Sequence, residues 1–284
     1  MTAARVPLFC DTALARRIDG AEARLMVASA EAARRRGAAP PGFILPIAGG
    51  QATFAEAGSP FNKVAGLGFA GPPDDDALDE VERAFATRGA PVQVELSILA
   101  DPAVGSLLTS RGYHLVSFEN VLGLAIGAAP ERIAPPGIEV RRSGDEELER
   151  WLEVVADGYA HADDEGVPSH EDFPREAIER AERDFAAAGV IRYIALRDGV
   201  AAGGASFRVT DGIAQLTGAA TAPAHRRRGI QTAFLAARLA DAATAGCDVA
   251  VVTTQPGSVS QRNVQRRGFD LLYTRAILVK PPRA

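Results

Sequence analysis

The chain of 284 residues carries one local pattern twice. Gly89 precedes the strand-like run Val92 to Leu96, and Gly112, 23 residues on, precedes Tyr113 to Phe118. Gly246 precedes Val249 to Thr254, and Gly268, 22 residues on, precedes Phe269 to Tyr273. In each copy a glycine closes one element and a strand-like run follows. Phe61 to Phe69 and Ile213 to Thr221 match as the strands ahead of the pattern, with Asp79 to Thr87 and Gly229 to Thr244 as the helices between. We read this as an internal duplication, so the chain is constrained to two copies of one α/β unit. Pro and Gly cluster from Gly127 to Pro130 and from Ala134 to Gly137, between two strand-like runs. The expected domains are therefore 1–130 and 137–284.

The later unit reads in more detail. Ile138 to Arg142 is a short strand, and Asp145 to Tyr159 has helical apolar spacing at Leu148, Trp151, Leu152 and Val155. The polar stretch to Ser169, with Asp163, Asp164 and Glu165, reads as a loop, and Phe173 to Ala188 as a second helix. Asp198-Gly199 and Asp211-Gly212 are two-residue hairpin signals that join three strands. A basic loop, the helix Gly229 to Thr244, the strand Val249 to Thr254 and a short helix Ser258 to Arg267 follow. Phe269 to Lys280 is a strand pair or one long bent strand. The order β-α-α-β-β-β-α-β-α-β predicts a mixed α/β (α+β) fold with a mostly antiparallel sheet.

Composition narrows the chemistry. Lysine occurs only at Lys63 and Lys280, and neither stands in a Gly-Lys-Ser/Thr context, which excludes a P-loop. Two cysteines, Cys10 and Cys247, form no disulfide framework and suit a reducing compartment. The four histidines have no ligand spacing, so no metal is expected. The net charge of −5 gives no basis for a nucleic-acid partner. No stretch approaches the ~18 apolar residues of a membrane span, and the run Val6 to Cys10 is too short for a signal peptide. The expected location is the cytoplasm.

The segment richest in chemistry is Thr221 to Thr232, where a strand ends, Arg226, Arg227, Arg228 and Gly229 turn the chain, and a helix starts. The first amides of a helix lack internal partners and carry the positive end of its dipole, which makes an anion site. Gly229 has no Cβ to keep a ligand from the backbone, and arginine suits phosphate. The geometry suits a diphosphate.

This segment resembles the acyl-CoA-binding motif of the GNAT-type N-acetyltransferase family, Gln/Arg-x-x-Gly-x-Gly/Ala. It matches at Arg226 and Gly229 and departs at Gln231, where glycine or alanine is usual and a larger side chain either narrows the turn or adds a hydrogen bond. Pro223 and the tail Arg267-Gly268-Phe269 match as well. The resemblance covers about 138–280, more weakly 40–125, and implies tandem GNAT-like domains. It implies that Ala219, Ala220 and Thr221 pair with a pantetheine arm, and that amides of Arg227, Arg228, Gly229, Ile230, Gln231 and Thr232 hold the diphosphate. The thioester is expected where the fourth and fifth strands splay, between Thr221 and Val252. Ser258, Ser260 and Asn263 either reach the arm or cap and solvate the last helix. In the earlier unit Asp74, Asp75 and Asp76 stand where anion donors belong, so that unit is expected to bind no CoA.

The implied reaction is attack of an amine on the thioester of acetyl-CoA. The tyrosine acid common in the family's last helix is absent: its position holds Val264. The fourth strand offers Gln215 and Thr217 in place of the usual carboxylate. The catalytic candidates are Tyr159, His161, Asp163, Asp164 and Glu165 in the acidic loop region, which is otherwise a solvated loop, with Ser260 as a weak acid and Glu119 from the other unit as a further possibility. The expected function is acetyl transfer to a primary amine of a small molecule by a monomer or homodimer. The alternative is a non-catalytic acyl-CoA-binding or regulatory protein.

Overall fold

The structure is a computed structural model and describes residues 6–129, 131–161, 167 and 169–282. The earlier unit opens with a 25-residue helix, α1 (Thr12–Arg36). Asp11, which ends the first apolar run, is its N-cap and accepts from the Leu14 amide; Gly37 closes it in the left-handed region at φ 89°. Its buried face is built from small residues, among them Ala15, Ala23, Ala30 and Ala33, which let the helix lie close on the sheet. Then follow β1 (Phe43–Ile47), β2 (Gly50–Phe54), β3 (Lys63–Ala65), α2 (Asp75–Ala86), β4 (Val92–Ser97), α3 (Pro102–Ser110) and β5 (His114–Ala125). The strand expected over Phe61 to Phe69 is only three residues long, because Gly66 and Gly68 take φ of 74° and 92° and end it. The helix expected from Asp79 begins at Asp75, because Asp74 caps it.

The later unit has the predicted order: β6 (Ile138–Arg142), α4 (Leu148–Ala160), α5 (Arg175–Ala187), β7 (Ile191–Arg197), β8 (Val200–Thr210), β9 (Ile213–Thr221), α6 (Ile230–Thr244), β10 (Val249–Thr254), α7 (Val259–Gln265) and β11 (Asp270–Lys280). The last run is one strand with two register shifts against β5.

Among the described residues all strands join one sheet, in the order β1-β2-β3-β4-β11-β5-β10-β9-β8-β7-β6. It is antiparallel except at the equivalent pairs β3/β4 and β9/β10. The two units exchange their last strands. β11 of the later unit lies between β4 and β5, and β5 of the earlier unit pairs with β10 along Val249↔Ala125 to Thr254↔Asn120. The centre of the sheet thus belongs to both units.

Strand alternation divides the core. Tyr193, Ala195 and Leu122 pack with α6 and α7, and Val94 and Leu278 with α2 and α3. On the other face Ile194 packs under α4, Ala65 under α1 and α5, and Val121, Val251 and Tyr273 under α1. No helix among the described residues is long and apolar enough to cross a membrane.

Candidate active site

β9 and β10 pair only over Val249↔Ile213, Ala250↔Ala214 and Val251↔Gln215. Beyond that rung β9 stays with β8 and β10 stays with β5, so the sheet opens into a fork. A bulge contributes: between Ser206↔Gly218 and Arg208↔Gln215, β9 uses one more residue than β8. Arg238, 3 % exposed on α6, pins the bulge by donating from Nη1 to the carbonyls of Ser206 and Gly218, both at 3.0 Å. Burial lowers its guanidinium to about 10.

The turn after β9 leads into the mouth of the fork. Pro223–His225 form a short 3-10 turn, Arg227 takes φ 60°, and Gly229 takes φ 82° as the N-cap residue of α6. No side chain caps α6, so its first amides are left to another acceptor. A Cβ on Gly229 would lie 2.7 Å from Pro135 Cγ, so the connecting segment packs against this turn and glycine is required twice over. Arg227 and Arg228 are exposed. Arg226 turns inward: its guanidinium donates to the carbonyls of Thr221 (3.2 Å), Gly158 (3.3 Å) and His161, tying β9 to the end of α4. Gln231 adds a hydrogen bond, from Nε2 to Thr221 Oγ1 at 3.0 Å. Ala219 is half-buried on the open limb of β9, and Ala220 is buried under α4.

On the opposite limb Ser258 is the N-cap of α7 and accepts from the Gln261 amide at 3.1 Å. Ser260 is exposed and Asn263 half-buried on the same helix. Val264 on α7 is buried in the core against α6. Asp163, Asp164 and Glu165 lie outside the described residues. Tyr159 leans over the open limb of β9: a Cβ on Gly218 would come within 2.6 Å of its hydroxyl. Burial, and then the charge of Glu182, hold that hydroxyl protonated well above the ordinary tyrosine range.

A polar row crosses the α1 side of the fork, and of its members only Glu119 was among the sequence-based candidates. Asp19 accepts from Tyr273 Oη (2.6 Å) and from Arg275 Nη2 (2.6 Å), and Lys63 Nζ meets Glu95 Oε1 at 2.5 Å. Gln93 joins the segment 169–174, donating to Glu171 (3.0 Å) and meeting His170 Nε2 (3.1 Å). The signal was present: Gln93, Glu95, Glu119 and Arg275 interrupt otherwise apolar strands at alternate positions. Among the described residues no group of three or more His, Cys, Asp or Glu is arranged to hold a metal.

Residues 148–269 match the family model described as "Acetyltransferase (GNAT) family". The later unit carries a GNAT acetyltransferase domain. The fork, the bulge and the turn at Gly229 all lie inside the matched range. A GCN5-related N-acetyltransferase from Kribbella flavida superposes with TM-score 0.63 at 21% identity, over 91% of this chain and 95% of its own. A tandem GNAT protein from the clavulanic acid biosynthesis pathway superposes with TM-score 0.61 at 14% identity, over 98% of both chains. Likeness at this identity shows the fold, here a tandem GNAT fold. No curated protein matches the chain in sequence.

Proposed function

We propose that this protein is an acetyl-CoA-dependent N-acetyltransferase that acylates a primary amine of a small molecule. The observation that carries the reading is the fork: pairing ends at Gln215 and Val251, and the gap opens onto an uncapped helix start reached through Gly229. The residues present fit the donor. An extended pantetheine arm can add to the unpaired edge of β9 at Ala219 to Thr221, and the amides of Arg227 to Thr232 suit a diphosphate. Arg227 and Arg228 add charge at the rim, while Arg226 shapes the turn from behind. Ser260 and Asn263 face the arm from α7, and Ser258 starts that helix.

The earlier unit, 1–130, takes no donor in this reading. The Asp74 carboxylate already holds the Ala77 amide at 2.8 Å, and Asp75 and Asp76 occupy the first turn of α2. An incoming diphosphate would meet a filled cap and like charge. The unit 137–284 is the donor-binding one.

The amine attacks the thioester carbon, and the thiolate leaves and is protonated. Tyr159, held protonated beside Gly218, offers the leaving sulfur a hydrogen bond from the β9 side. A second reading, a non-catalytic acyl-CoA-binding protein, is favoured by Val264 in the tyrosine's place. One experiment separates them: isothermal titration with acetyl-CoA, then thiol release with a panel of amines, amino acids, aminoglycosides and peptides. Binding with turnover supports the transferase; binding without turnover supports the second reading; no binding refutes both.

A further inference from the structure

The polar row on the α1 side is paired at its sealed end and unpaired at its open end. Asp19, Glu95 and Arg275 are 1 %, 3 % and 2 % exposed, and the contacts of Asp19 with Arg275 and of Glu95 with Lys63 balance their charges. Two carboxylates make no ion pair among the described residues. Glu119 on β5 stands opposite Arg275 in register, is half-buried, and makes no hydrogen bond or ion pair among the described residues. Glu22 on α1, also half-buried, accepts among the described residues from Gln215 Nε2, at 3.2 Å. Both belong to the earlier unit. Thr253, on β10 between β9 and β5, is exposed, so this end of the row opens to solvent at the fork.

An independent observation points to a ligand. Gln215, 4 % exposed, sits on the last paired rung of the fork, and its Oε1 is buried with no hydrogen-bond partner. A buried acceptor left unpaired is unfavourable. Two unmatched carboxylates and an orphaned carbonyl oxygen together suit a group with several N–H donors and a positive charge.

We propose that the earlier unit completes the acceptor site: Glu22 and Gln215 receive the acceptor's ammonium at the fork, and Glu119, on the strand exchanged into the later unit's sheet, takes its proton. This rests on the acyl-transfer reading above. The ammonium gives one proton to the Glu119 carboxylate. The freed nitrogen lone pair forms the C–N bond to the thioester carbon, the C–S bond breaks with its electron pair on sulfur, and the second nitrogen proton ends on that sulfur. The Glu119 proton then returns to water.

The surroundings suit the role. Burial first, and then the charge of Glu95, push Glu119 up to about 8, against the lowering by Lys63 and Arg275; Glu22 adds to the rise. Burial also raises Glu22. Asp19 and Tyr273 face the same space from α1 and β11, bonded to each other, and His170 and Glu171 face it from the segment over β4. A carboxylate with such a value is matched to an ammonium near neutral pH.

The test uses the full chain and three measurements on wild type, Glu119→Gln and Glu119→Asp: acetyl-CoA affinity by titration calorimetry, the KM for acetyl-CoA, and kcat/KM for the best amine of a panel across pH 6–10. We expect unchanged acetyl-CoA affinity in all three. Wild-type kcat/KM should rise through an apparent pKa near 8. Glu119→Gln should lose about 100-fold or more together with that rise, and Glu119→Asp should keep the rise at a reduced rate. Activity of Glu119→Gln within about threefold of wild type, with the same pH profile, overturns the proposal. So does acetyl-CoA binding by wild type with no amine turned over, which leaves donor binding standing. Wild type that binds no acetyl-CoA removes the acyl-transfer reading itself, and the proposal with it.

Discussion

Gln231 on the first turn of α6 donates to Thr221, the last residue of β9, across 3.0 Å. The side chain that departs from the family pattern is thus drawn back to the strand and braces the turn. Gln231→Ala should cost about 1 kcal/mol of stability, the worth of one hydrogen bond, and change acetyl-CoA affinity less than about threefold. Thermal unfolding and calorimetry check this. Much tighter binding by Gln231→Ala would mean that the amide obstructs the turn.

Gly218 leaves room for Tyr159 to reach β9. Gly218→Val should push the ring away and destabilise the protein by about 1–3 kcal/mol. Tyr159→Phe in the same background should restore part of the loss, because the hydroxyl is the atom in the way. Chemical denaturation of the single and double variants reads this directly.

Arg238 satisfies two buried carbonyls at the bulge. Arg238→Met keeps the stem and removes both donors, and should cost at least about 2 kcal/mol. Because the bulge turns β9 at the fork, the same variant should also weaken acetyl-CoA binding. Lost stability with unchanged binding would separate the bulge from the site.

Glu182 on α5 is 8 % exposed, and burial pushes its carboxyl up to about 7, against the pull of Arg192. Its native value lies above the unfolded one, so the native state holds the extra proton. The stability this group gives is full below the unfolded value and declines as pH rises towards 7. Glu182→Gln should therefore raise Tm at pH 8 and leave it within about 1 °C of wild type at pH 5. An equal effect at both pH values would contradict the assignment.

What was legible in the sequence is what leaves local marks. Asp198-Gly199 and Asp211-Gly212 both take positive φ at each position, as two-residue hairpins require, and Gly229, singled out for its missing Cβ, stands at the turn into α6. The strand exchange left no such mark. β5 and β11 each follow a glycine, Gly112 or Gly268, and have similar patterns, so partner choice is decided by packing between distant segments. The polar row was half visible. Glu95 and Arg275 stand out in apolar strands, but nothing local brings Lys63, Asp19 and Glu22 to them. Glu119 of the earlier unit stood only as a further possibility beside the acidic loop, because no local pattern shows that α1 and β5 carry carboxylates in to the fork.

The central claim is that a single diphosphate site exists per chain, at the turn through Gly229. The most direct measurement is calorimetric titration of acetyl-CoA into wild type, Gly229→Ala and Asp74→Ala. Wild type and Asp74→Ala should each bind one equivalent, and Gly229→Ala should bind about tenfold or more weakly, because its Cβ meets Pro135 at a left-handed φ. Binding by Gly229→Ala equal to wild type, or two equivalents per wild-type chain, would contradict it.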